Sequence, residues 1–104
     1  MQTTITARHI DISEALRARA MTITERVGGI ARRPVDIAVV FQVDGLDRVA
    51  ELRLHLARGE VLIARGSGPD HRTALDRAEE KLRPQIERTS GLSRRRAAQV
   101  APPI

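Results

Sequence analysis

The sequence predicts an α+β fold of order βαβββα, a four-stranded, mostly antiparallel sheet with two helices packed on one face. Three observations carry this reading. Apolar or β-branched residues recur at every second position in four short stretches, the period of a strand with one covered face. Two longer stretches repeat their apolar residues at three- and four-residue spacing, the period of a helix with one buried stripe. Their order, with three strands between the helices, suggests both helices on one sheet face and the other face left to solvent or a partner.

Gln2 to Ala7 alternates threonine and isoleucine and reads as the first strand. Asp11 and Ser13 offer N-cap oxygens for a helix from about Glu14 to Val27, in which Leu16, Ala20, Ile23 and Val27 form the core stripe. Gly28-Gly29 is expected to end that helix, because glycine takes the left-handed C-terminal conformation cheaply. After Arg33-Pro34, the residues Val35, Ile37, Val39, Phe41 and Val43 share one strand face, while Asp36, Ala38, Val40 and Gln42 share the other. Asp44-Gly45-Leu46-Asp47 reads as a tight connection into a third strand, where Leu52, Leu54 and Leu56 alternate with Glu51, Arg53 and His55. Arg58-Gly59-Glu60 turns into a fourth strand, Val61 to Arg65, and Gly66-Ser67-Gly68-Pro69 is expected to break the chain again. Asp70 caps a final helix reaching about Thr89, with Ala74, Ala78, Leu82 and Ile86 on its core side. Residues 1–90 thus read as one domain and 91–104 as a basic, mobile tail.

A chain of 104 residues can bury one modest core. Hydrophobic content of 41% with 30% charged residues fits a globular class rather than a disordered one. No stretch approaches the roughly 20 apolar residues of a membrane span, and Met1-Gln2-Thr3-Thr4 lacks the regions of a signal peptide, so a cytoplasmic location is expected. Cysteine is absent, which excludes disulfides and thiolate metal sites. The net charge of +5 owes three charges to Arg94, Arg95 and Arg96; residues 1–92 hold 15 basic against 13 acidic groups. Overall basicity therefore does not identify a nucleic-acid partner, and the sorting of charge onto faces must decide.

Catalytic constellations are scarce. His9, His55 and His71 have no second metal ligand at a useful spacing, and no zinc-protease helix, nucleophile elbow or phosphate-binding glycine loop appears. Gly66-Ser67-Gly68 is too short for a dinucleotide fingerprint, and Asp44 and Asp47 read as turn-stabilising side chains. No enzyme, cofactor or small-molecule substrate is expected.

Arginine sorting is the remaining signal. Arg77, Lys81 and Arg88 fall on one side of the last helix, beside its apolar stripe. On the first helix Arg19, Thr22 and Arg26 run along the core stripe, with Arg17 on the opposite flank. If both helices pack on one sheet face, these rows are placed to rim a common groove for a phosphate backbone; the alternative is a solvated flank in which Asp76, Glu79, Glu80 and Glu87 pair the same arginines at helical spacing. Phe41 is the single aromatic residue, so stacking on unpaired bases is unavailable, and an RNA contact would read shape and phosphate.

Three segments resemble the bacterial hibernation promoting factor and ribosome-associated inhibitor family, also called sigma-54 modulation proteins. Ile5-Thr6-Ala7-Arg8-His9-Ile10-Asp11-Ile12-Ser13-Glu14-Ala15-Leu16-Arg17 follows the family's opening strand and helix start. Val49-Ala50-Glu51-Leu52-Arg53-Leu54-His55-Leu56 is similar in the third strand, and Asp70, Ala74, Leu75-Asp76, Glu80-Lys81-Leu82 and Gln85 resemble the last helix. The resemblance implies a fold similar to double-stranded-RNA-binding domains and a stress or stationary-phase factor, in the short form of the family. Such a factor occupies the small ribosomal subunit and its rRNA near the decoding centre, with no reaction or cofactor. It further implies RNA contacts at Arg26, Lys81 and Arg88, with Arg17 as a further position. Against the family pattern, His71-Arg72 replaces a methionine-tyrosine pair, Pro84 an arginine and Ile23 a lysine; Arg19, Arg72, Arg77 and Arg83 are placed to compensate. Pro84 is expected to kink or break the helix near Glu80–Pro84. The rival reading is a diverged paralogue that acts, without ribosome binding, as a protein-interaction module or self-associates as a homodimer through the open sheet face or an edge strand.

Overall fold

The computed structural model describes the backbone of residues 1–100 and the side chains of residues 1–89. Its element order is β1 (Gln2–Ala7), α1 (Glu14–Ile30), β2 (Pro34–Asp44), β3 (Asp47–Leu56), β4 (Val61–Gly68) and α2 (His71–Val100), the predicted βαβββα. The strands lie in sequence order, β1-β2-β3-β4, with β1 parallel to β2 and the two other pairings antiparallel. A parallel β1–β2 pair needs a crossover, and α1 supplies it.

Alternation places Ile37, Val39 and Phe41 of β2, Ala50, Leu52 and Leu54 of β3, and Ala64 of β4 on one sheet face. Against them pack Ala20, Ile23 and Val27 of α1 and Ala74, Leu75, Ala78, Leu82 and Ile86 of α2, in one core. Each large side chain so buried contributes about 1.5–3 kcal/mol, and in a domain without disulfides this packing is the main source of stability. Val35 and Val43, expected on the same face, lie at the strand ends and are exposed.

Ser13 caps α1, its hydroxyl accepting the Leu16 N–H at 3.0 Å. The expected stop at Gly28-Gly29 does not occur: neither glycine has a positive φ, the helix runs to Ile30, and Ala31 is the C-cap. Gly28 instead leaves room for the side chain of Met1, whose Cε would lie 2.5 Å from a Cβ there. The β2–β3 connection is the two-residue loop Gly45-Leu46, with glycine at φ 62 in the first central position, as a II′ hairpin requires.

Two further boundaries move. β4 does not end at Arg65; Gly66, Ser67 and Gly68 stay in the ladder opposite Ala50, Val49 and Arg48. A Cβ on Gly66 would lie 2.5 Å from Ala78 N and closer still to Ala74 O, so this glycine is where the α2 backbone passes over the sheet. Nor is α2 broken at Pro84: the helix runs unbroken through it and past Thr89 to Val100. Pro84 and Glu80 are both exposed, on the solvent side of the helix, where water can serve a carbonyl left without its helical partner and so reduce the cost of the missing N–H. The expected mobile tail, 91–104, falls outside the residues whose side chains are described.

Asp70 caps α2 with both oxygens, accepting the Thr73 N–H at 2.7 Å and the Thr73 hydroxyl at 3.0 Å. Those hydrogen bonds hold its carboxyl below the ordinary value of 3.8. A depressed folded pKa stabilises the fold above the unfolded value, and that contribution is lost as pH falls through the folded one. Asp70→Ala should therefore lower the thermal midpoint at neutral pH, with the gap to the unaltered chain narrowing as melts are taken further below pH 3.8.

Candidate nucleic-acid interface

The helical layer presents three separate basic surfaces where the sequence suggested one groove. Between the helices, Arg26 donates from Nε and Nη2 to Glu79 at 2.8 and 2.9 Å, and Arg19 donates to Asp76 at 3.2 Å. Arg83 adds a longer contact to Glu79 at 3.7 Å. The seam expected to receive a phosphate backbone is thus closed in part by carboxylates of α2. Glu79 is only 7% exposed, and its hydrogen bond and charge push the Arg26 guanidinium further above its usual range. Removing one partner of a buried pair strands the other charge, so Arg26→Ala should lower the thermal midpoint more than Arg19→Ala, whose partner Asp76 is more exposed.

Arg26 still faces outward, with 39% of its side chain exposed, and Glu79 uses only two of a guanidinium's five N–H donors. Near the helix starts, Arg19 and Arg72 line a shallow groove of about 380 Å³ with Ser13, Ala15, Leu16, Ala18 and Thr22. This groove is the portion of the expected inter-helix channel that the ion pairs leave open. Arg17 lies on the opposite flank of α1 and is exposed.

Arg77 and Lys81 occupy the other flank of α2, over the free edge of β4, and do not reach the seam. Arg77 donates to the Ser67 carbonyl at 2.7 Å, Lys81 to that of Arg65 at 2.9 Å and Gln85 to that of Ile63 at 2.9 Å. Donors four apart on a helix therefore meet carbonyls two apart on a strand. The row clamps the edge, a position that otherwise invites pairing with another chain. With Arg77, Lys81 and Gln85 all replaced by alanine, sedimentation velocity should show association that rises with concentration beyond that of the unaltered chain. Arg88 is exposed further along this flank and, among the described residues, pairs with no carboxylate. Periodicity picks out Arg77 and Lys81 but not Gln85 or the strand carbonyls; donors at i, i+4 and i+8 beside an apolar stripe are the signal that could have found them.

The open sheet face is mixed. Asp36 pairs with His55 Nδ1 at 2.6 Å, Arg65 with Asp44 at 3.1 Å, and Arg53 with Glu51. Val40, Val61 and Ile63 lie among these charges, so the face has no uninterrupted apolar patch of the kind a self-associating module would use. The histidines are dispersed: His71 Nε2 meets the Gln42 carbonyl at 2.9 Å and its ring stands edge-on to Phe41, while His9 is exposed. Among the described residues no three histidine, aspartate or glutamate side chains are placed to hold a metal ion. Nor, among the described residues, is any helix long and apolar enough to cross a membrane. Phe41 is fully buried in the core, so it offers no face to a base.

Comparison with known proteins places this geometry. The sequence profile of the sigma 54 modulation protein / S30EA ribosomal protein family matches residues 3–92. The ribosome hibernation promoting factor of Salmonella typhimurium is 31% identical over 88 residues, 85% of this chain and 92% of that protein. Among solved structures, a ribosomal subunit interface protein from Coxiella burnetii superposes with a TM-score of 0.72 at 22% identity, covering 88% of this chain and 99% of the other. The N-terminal domain of Thermus thermophilus Protein Y gives a TM-score of 0.72 at 23% identity, covering 86% and 99%. These two likenesses concern the fold, whereas the profile and the Salmonella relative extend over nearly the whole described domain, helix flanks included. With the profile matching residues 3–92 and the Salmonella relative covering most of both chains, this chain belongs to the sigma 54 modulation protein / S30EA ribosomal protein family.

Proposed function

We propose that the chain is a ribosome-associated hibernation factor of the cytoplasm, one that settles on small-subunit rRNA near the decoding centre and silences translation by occupying that space. The observation that carries this reading is the family match over residues 3–92, joined to a relative named ribosome hibernation promoting factor. Chemistry at the surface is in keeping with it. With Phe41 buried, contact must run through phosphates and shape. Lys81 and Arg88 supply the primary charges on the β4 flank, and Arg77 a secondary one. On α1, Arg26 contributes the donors that Glu79 leaves free, Arg19 faces the groove beside Arg72, and Arg17 supports from the far flank. Occlusion needs no reacting group, which fits the dispersed histidines.

The test is sedimentation of a stationary-phase lysate through a sucrose gradient with detection of this protein. It is expected to travel with the small subunit or larger particles at low salt and to be released steeply as salt rises, the signature of phosphate neutralisation. Recovery only at the top of the gradient, at every salt concentration, would remove the assignment.

A further inference from the structure

At the end of the domain away from Arg8, the α1–β2 link, the β3–β4 turn and α2 meet around a small cavity of about 70 Å³. It is lined by Arg32, Arg33 and Arg58 with Leu56, Ala57, Glu60 and Thr89. Three arginines, all exposed, thus line it, and among the described residues none lies within ion-pairing distance of a carboxylate, Glu60 included. Like charges gathered without counter-charges repel one another, so an anion between them would lower the energy of all three.

The backbone beneath is fixed. Ala57 N–H donates to the Arg33 carbonyl, Leu56 N–H to that of Glu60 and Gly59 N–H to that of Leu56, each at 2.9 Å. Arg33 itself sits at φ 52, in the left-handed region, immediately before Pro34. A bulky residue is strained there, and a following proline ordinarily pushes its neighbour to extended geometry. Glycine would fill the position without strain; an arginine held there by the Ala57 bond is what a functional site looks like. The size of the cavity sets the ligand. At about 70 Å³ it suits a single tetrahedral oxyanion and lies far below the ~300 Å³ or more of a metabolite pocket.

We propose that Arg32, Arg33 and Arg58 form a binding site for one phosphoryl group, a site distinct from the helical flanks and independent of the ribosome reading. Guanidinium groups match the oxygens of a phosphoryl group two at a time, which a lysine cluster would not do. The group has two possible sources, free phosphate or the backbone of an RNA. The experiment follows the arginine Nε–Hε signals by NMR during titration with inorganic phosphate, ionic strength being held constant with chloride. Saturable shifts are expected at Arg32, Arg33 and Arg58 but not at the distant Arg8. Arg58→Gln and Arg33→Gly should each weaken the saturation by about tenfold. Arg33→Gly should at the same time raise the thermal midpoint by roughly 4 °C, because it relieves the strain; a residue with only a structural role would not trade stability for binding in this way. Competition by a short RNA duplex would assign the site to backbone phosphate, and its absence to the free ion. Shifts that grow linearly with phosphate, that appear equally at Arg8, or that survive both substitutions would overturn the proposal.

Discussion

Gly66→Ala is expected to destabilise the domain by about 3 kcal/mol or more and, at roughly 4–8 °C per kcal/mol, to lower its thermal midpoint by about 12–24 °C. The added methyl would meet backbone atoms of α2, Ala74 O and Ala78 N, with Arg77 Cβ 3.0 Å away. Backbone cannot swing aside as the end of a side chain can. α2 must lift from β4, and with it Leu75 and Leu82 from the core. Gly28→Ala is the control, since its new methyl meets the tip of a flexible methionine side chain and should cost far less. Thermal unfolding followed by circular dichroism distinguishes the two, and equal midpoints for both variants would show that the close approach at Gly66 carries no weight.

The second large effect is on binding. Lys81→Gln with Arg88→Gln should release the protein from ribosomes at moderate salt while leaving the fold intact. Charge reversal at Lys81 would confuse the two, because a carboxylate there would face the Arg65 carbonyl that the ammonium now serves. Glutamine keeps a donor and removes only the charge, and Gln85 shows that an amide suffices on this row. Every phosphate left without its cation should reduce the slope of log affinity against log salt by about one, so the double variant should lose about two. Co-sedimentation unchanged at every salt concentration would mean that this flank serves the sheet edge alone.

How much of this was legible in the sequence depends on what each feature requires. β1 and the start of α1 were, because alternation and the Ser13 cap are local signals. The end of α1 was not, because a glycine pair marks a helix end only where a residue turns left-handed, and Gly28-Gly29 does not. Pro84 does not break the helix as its missing N–H suggests: its cost depends on the helix face it occupies, and here that face is open to solvent. The basic row was readable but its surroundings were not. Asp76 and Glu79 were readable as carboxylates able to pair the arginines, but Arg26 and Glu79 are 53 positions apart, and nothing local announces that the pairing crosses from one helix to the other. Residue types were readable from periodicity; partners came from packing.

The α2 donors and the carbonyls of β4 keep almost the same step. Four residues of helix advance about 6.0 Å and two of strand about 6.8 Å, so the two rulings drift by less than an ångström per step. Long side chains absorb that over three rungs, and at what would be the fourth, Thr89 turns back to the Gln85 carbonyl. Two such nearly commensurate rulings have almost no preference among settings one helical turn apart. What indexes them is the notch at Gly66, which accepts a backbone at one station along the strand. The alignment of the longest helix thus rests on a missing methyl group, with the polar rungs serving as a latch that any neighbouring setting would also have engaged.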